Sequence, residues 1–330
     1  MARTIIETRG LTKRYGSVTA VDKLDLRVEE GEVFGLLGPN GAGKTTTTLM
    51  LLGLTEPTEG SAAIECVDCT RDPIRVKRAV GYLPDNMGFY PDMTGRENLR
   101  MTGRMNGLRG ELLEARIDEL LGRMGMAGAA DRRASTYSKG MKQRLGIADI
   151  LLKDPDVLIL DEPTNGVDPE GIRELTALIR ELADRDGRTI LISSHQLHQI
   201  QQICDRVGIF VSGRLIACGG IGDLARQLEQ ENGLRYEIGA RPGGEALVQA
   251  LRGIKGVEEA ALQEDGLVSL HTRADLGDAI VRTLLDSGFS LTHLRQSSTD
   301  LDEIYAKYFE KAGESDAQDK RGASRPRRAR

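Results

Sequence analysis

The stretch that most constrains this chain is Gly38 to Thr46, GPNGAGKTT. Two glycines, Gly38 and Gly43, precede Lys44 and Thr45 with the spacing of a phosphate-binding loop, and the apolar run Val33 to Leu37 leads into it. A strand, a glycine loop and a helix are therefore expected in that order. Glycines let backbone N–H groups close around phosphate oxygens, and a helix beginning near Gly43 offers unpaired N–H donors to an anion. Pro39, Asn40, Gly41, Ala42 and Thr46 complete the cradle. Lys44 is placed to reach the β- and γ-phosphates and the Thr45 hydroxyl to ligate Mg²⁺.

The chain is long enough to build more than this one unit. Its 330 residues allow about two domains at roughly 150 residues each. With 39% hydrophobic and 29% charged residues and a net charge of -5, it has a globular composition with no bias toward nucleic acid. No apolar run approaches the roughly 20 residues that cross a bilayer, and Met1 to Gly10 lacks a secretory core, so a cytoplasmic location is expected. Cys66 and Cys69 form a C-x-x-C without a second ligand pair, which points to reduced thiols instead of a metal site.

Ile5 to Val28 alternates apolar and charged residues around the turn Tyr15-Gly16 and reads as a small antiparallel β layer. Thr45 to Leu54 reads as the helix after the loop. Thr94 to Met126 is helical, with Leu112, Leu113, Ile117, Leu120 and Leu121 as a core stripe. Met87, Met93, Met101 and Met105 offer an adaptable apolar surface or core filling. Ser138 is a helix N-cap ahead of a helix that ends near Lys153. Val157 to Leu160 is a buried strand ending in Asp161 and Glu162, Asp168-Pro169 starts an amphipathic helix, and the strand Thr189 to Ser193 delivers His195. Strands alternating with helices argue a parallel sheet with ligands at the C-terminal strand ends. Asp161 can then hold the Mg²⁺ that bridges the phosphates, Glu162 can orient or deprotonate a water, and His195 can donate to a γ-phosphate oxygen. His198, His271 and His293 read as structural.

These motifs resemble the nucleotide-binding subunit of an ABC transporter over about residues 4 to 220. Gly38 to Thr45 resembles the Walker A loop, Leu158 to Glu162 the Walker B strand with its catalytic Glu, Ser138-Lys139-Gly140-Met141-Lys142 the ABC signature, Val167-Asp168 the D-loop and His195 the switch histidine. The resemblance also makes Tyr15 the aromatic that stacks on adenine. It implies an α/β P-loop NTPase core with an antiparallel β layer and a helical signature subdomain, ATP and Mg²⁺ as cofactors, and a homodimer in which Ser138 and Gly140 complete the partner's site. Two positions depart from the pattern. Asp85 stands where the family usually has Gln, and would reach Mg²⁺ through water. Lys139 stands where Gly is commonest, which is similar to the branch serving ABC-2 type export permeases.

Beyond residue 220 the order of strands and helices suggests a small α+β domain of split βαβ type over 221–312, and it resembles the accessory domain of the same branch. The polar, basic stretch 313–330 reads as a disordered tail, able to touch anionic lipid. The whole is expected to be an ATP-hydrolysing subunit, peripheral on the cytoplasmic face of the membrane, that drives a separate ABC-2 type permease in export, without nucleic acid. The alternative is a soluble ABC ATPase acting on ribosomes or DNA, whose relatives usually carry two cassettes or a long insertion that this chain lacks.

Overall fold

The structure, a computed structural model, describes residues 3–196, 201–263 and 265–297. Its backbone divides into two compact units between Gly219 and Gly220.

The first unit opens with the antiparallel layer. β1 (Thr4–Tyr15) and β2 (Val18–Glu29) form a hairpin around Gly16, whose φ of 58° suits a turn only glycine makes cheaply. β4 (Glu59–Ile64) and β5 (Val67–Asp68) extend it in the order β2-β1-β4-β5. The alternation of apolar and charged residues is realised as one face packed inward, with Ile6, Leu24, Leu26 and Val28 buried. Cys66 lies exposed in the β4–β5 turn, and burial pushes the Cys69 thiol up to about 12.

The second layer is a six-stranded sheet ordered β10-β9-β3-β8-β7-β6, with β3 (Val33–Leu37), β6 (Val80–Leu83), β7 (Val157–Asp161), β8 (Thr189–Ser194) and β9 (Arg206–Val211) parallel and β10 (Arg214–Gly219) antiparallel at one edge. Every residue of β3, β7 and β8 is buried. Burial along the whole strand, around the apolar runs Val33–Leu37, Val157–Leu160 and Ile190–Ile192, is the signature of strands covered on both faces. α1 (Lys44–Leu51), α2 (Pro73–Ala79) and α6 (Pro169–Asp184) belong to this core, and Asp168 caps α6 by accepting from Gly171 N at 2.8 Å.

α3 (Gly95–Met105), α4 (Gly110–Arg123) and α5 (Lys139–Leu151) make the helical part. α3 starts with a capping box between Thr94 and Glu97, and α5 with Ser138, whose Oγ accepts from Met141 N at 3.3 Å. The α4 stripe is buried at Leu113, Ile117, Leu120 and Leu121, but Leu112 is 82% exposed. One helical step turns a side chain by about 100°, so a residue adjacent to the stripe leaves its face.

The second unit begins with α7 (Ile221–Asn232) and continues β11 (Leu234–Arg241), α8 (Glu245–Arg252), β12 (Val257–Leu262), β13 (Val268–Thr272), α9 (Gly277–Asp286) and β14 (Ser290–Ser297). Its sheet is antiparallel in the order β12-β13-β11-β14, which is the split βαβ arrangement, and Tyr236, Ile238, Leu247, Leu270, Ile280 and Leu284 form a core of its own. His271 and His293 stand there beside Glu258 (3.3 Å) and Glu237 (4.0 Å). Residues 298–312 of the expected α+β domain, His198 and the basic stretch 313–330 lie outside the described residues.

Candidate active site

The loop between β3 and α1 owes its shape to close contacts that exclude side chains. A Cβ on Gly43, at φ 108°, would stand 2.3 Å from the Ala20 carbonyl oxygen, and one on Gly38 would stand 2.4 Å from that of Phe210. Lys44, only 5% exposed, is folded back: its ammonium donates to the carbonyls of Gly38 (2.7 Å) and Pro39 (3.2 Å) and lies 3.5 Å from Glu162 Oε1. These oxygens satisfy a buried cation in a form that an entering anion can replace.

Parallel pairing carries three strand ends to one place, with β8 lying between β3 and β7. Asp161 ends β7, and its carboxylate accepts from Ser193 Oγ on β8 and from Thr45 Oγ1 at 3.3 Å. Glu162 follows with φ of 50°, a left-handed backbone uncommon for a non-glycine residue. Backbone bonds from Glu162 N to Ser193 O (3.0 Å) and from Asn165 N to Glu162 O (3.1 Å) hold that turn. The Glu162 side chain projects between Lys44 and His195, with Oε2 at 2.8 Å from His195 Nδ1.

Together these groups line a cleft of about 380 Å³, with Asn40, Gly41, Gly43 and Thr46 of the loop, Asp85, Ala20 and Asn165. Thr45 and Asp161 present hard oxygen donors side by side, chemistry that fits Mg²⁺ held jointly with phosphate oxygens. Among the described residues no group of three or more His, Cys, Asp and Glu could hold a metal ion. Behind this wall Tyr82 on β6 has its phenol pushed up to about 12 by burial and by the charges of Asp161 and Asp85.

The structure thus gathers Lys44, Thr45, Thr46, Asp85, Asp161, Glu162 and His195 with the loop backbone. Ser138 and Gly140 stay outside the cleft, at the N-terminus of α5, where Gly140 packs against Val167. Tyr15 is also outside it, half exposed, with the Lys13 ammonium 5.0 Å from its ring centre. Sequence reasoning missed Asn165 and Ala20. Asn165 donates to Asp85 Oδ1 at 3.2 Å across 80 residues, and its one available signal was its place in the turn after Glu162. Ala20 had none, because the β2 backbone reaches the loop only in the folded chain.

A second, apolar groove of about 260 Å³ runs beside β6, lined by Tyr82, Met87, Met101, Met105 and Ile150 with Asp149 among them. Met93 lies with Met101 and Met105 along an adjoining depression.

The ABC transporter family model matches residues 21–165. The chain is 36% identical to the bacitracin transport ATP-binding protein BcrA of Bacillus licheniformis, with 92% of this chain and 97% of that protein aligned. It is 37% identical to the daunorubicin/doxorubicin resistance ATP-binding protein DrrA of Streptomyces peucetius, with 91% of each chain aligned. Among solved structures, the ATP-binding subunit of an ABC transporter superposes with a TM-score of 0.62 at 32% identity, over 68% of this chain and 93% of that one.

Proposed function

The chain belongs to the ABC transporter family as an ATP-binding, ATP-hydrolysing subunit, and from that premise we propose that two copies close on Mg²⁺ and ATP to drive a separate ABC-2 type permease in export. The observation that carries the shared site is a separation. Lys44, Thr45, Asp161, Glu162 and His195 converge on one cleft, while Ser138 and Gly140 present a capped helix N-terminus elsewhere on the surface. A helix N-terminus attracts anionic phosphate, so in a head-to-tail pair each signature would complete the partner's site. Support for export comes from the relatives, which are named for bacitracin transport and for daunorubicin and doxorubicin resistance. The methionine-lined groove supplies an adaptable surface for the permease. Among the described residues no helix is long and apolar enough to cross a membrane. In this reading the separate permease spans the membrane and this subunit works on its cytoplasmic face.

Each residue then has a defined task. Thr45 and Asp161 would hold the metal ion, which when bound would neutralise phosphate charge. Lys44 exchanges the carbonyls of Gly38 and Pro39 for phosphate oxygens and releases Glu162. Glu162 orients the attacking water and takes its proton, and His195 Nδ1 fixes that carboxylate from the other side. Tyr15 would stack on the base, and Asp85 would reach the metal through water. Loss of the transferred phosphate removes the bridging charge and reopens the pair.

Glu162→Gln tests this arrangement. The variant should bind ATP, lose turnover by at least about a hundredfold, and accumulate as a dimer with Mg²⁺ and ATP in light scattering. A protein that stays monomeric at saturating nucleotide would overturn the shared site.

A further inference from the structure

The charges in the cleft do not balance. Among the described residues lining it Lys44 is the one lysine or arginine, against the carboxylates of Asp85, Asp161 and Glu162, so one ammonium faces three carboxylates and these four groups leave two net negative charges. Two of the carboxylates have partners that suit them. Glu162 faces Lys44 at 3.5 Å and His195 at 2.8 Å, and Asp161 accepts from the hydroxyls of Ser193 and Thr45. Among the described residues Asp85 has only neutral amides as partners, Asn165 Nδ2 at 3.2 Å and Asn86 Nδ2 at 3.5 Å. Amide donors orient a carboxylate without cancelling its charge. Asp85 is partly buried beside the buried β6, where field lines are less screened than in open water.

We infer that Asp85 is a specificity-determining residue that makes the cleft take the divalent-metal complex of its nucleotide and reject the free nucleotide. The inference rests on the nucleotide reading of the cleft. A free polyphosphate brings its full negative charge toward an uncompensated carboxylate, whereas the metal complex brings less and turns the same carboxylate into an attraction. Asn165 holds Asp85 pointed into the cleft, so the charge acts on whatever enters. A neutral amide of similar size at this position would remove the discrimination and keep the shape.

The test measures binding of a non-hydrolysable ATP analogue by calorimetry, with Mg²⁺ and with EDTA, for the full chain and its Asp85→Gln, Asp85→Asn and Asp85→Glu variants. The wild type should bind more tightly with Mg²⁺. That preference should fall about tenfold in Asp85→Gln and Asp85→Asn, a typical coupling between two ligands, mainly through tighter binding in EDTA. Asp85→Glu should keep it. Raising the salt should shrink the difference between wild type and Asp85→Gln in EDTA, since screening weakens only the charge effect. An unchanged preference in Asp85→Gln, or an equal loss in Asp85→Glu, would overturn the inference. Absence of binding by the wild type in both conditions would instead overturn the nucleotide reading beneath it.

Discussion

Asp149 lies in the apolar groove between β6 and α5 with its Oδ1 unpartnered, and burial pushes its carboxyl up to about 6 despite the Thr102 hydroxyl and the Lys153 ammonium. Lys153 is itself diverted, since its ammonium donates to the Lys77 carbonyl. A carboxyl whose folded value lies above its unfolded value costs nothing below pH 3.8, where both states are protonated. The penalty grows as the pH rises toward 6 and is complete above it. Asp149→Asn should therefore stabilise the protein by roughly 2–3 kcal/mol at pH 7.5, and urea midpoints at pH 7.5 and pH 4 should show the gain only at the higher pH. At Gly43 the effect has the opposite sign. Gly43→Ala sets a Cβ against the Ala20 carbonyl at a φ of 108°, so we expect a loss of about 1–3 kcal/mol in urea unfolding and ATP binding weakened about tenfold in calorimetry. Glycine spacing was legible as a phosphate loop, but the reason for Gly43 was not, because the obstructing atom belongs to β2.

Helix ends and strand runs were the most readable elements because their causes are local. Ser138 caps α5 through a bond to a residue three positions on, and Asp168 caps α6 in the same way. The α4 stripe shows where local reading loses precision, since Leu112 stands beside the stripe and points outward. Ser138 also permits a test at this scale. Ser138→Ala should lower helix stability by about 1 kcal/mol and abolish most turnover. Mixed with Lys44→Ala, itself inactive, it should regain activity on the order of a quarter of wild type, because a random pairing leaves one intact composite site in each mixed dimer. Two inactive proteins that remain inactive when mixed would place each site within one chain.

At the scale of the molecule the two units carry separate cores, one spanning the antiparallel layer and the parallel sheet, the other confined to the split βαβ sheet and its helices. A chain ending at Gly219 should accordingly unfold cooperatively and bind ATP within about threefold of the full protein, and a noncooperative melt would show that the second unit is needed for the first. The order of strands and helices, the loop, the caps and the residue types of the site were determined by the sequence alone, because periodicity, glycine spacing and capping act over a few residues. The assembly of the site was decided only by tertiary structure. The Thr45–Asp161 pair closes over 116 residues, Asp85–Asn165 over 80 and Ser193–Asp161 over 32. Such contacts exist because β3, β8, β7 and β6 align in parallel register and bring their C-terminal ends together, and register is a property of the sheet that no single strand encodes.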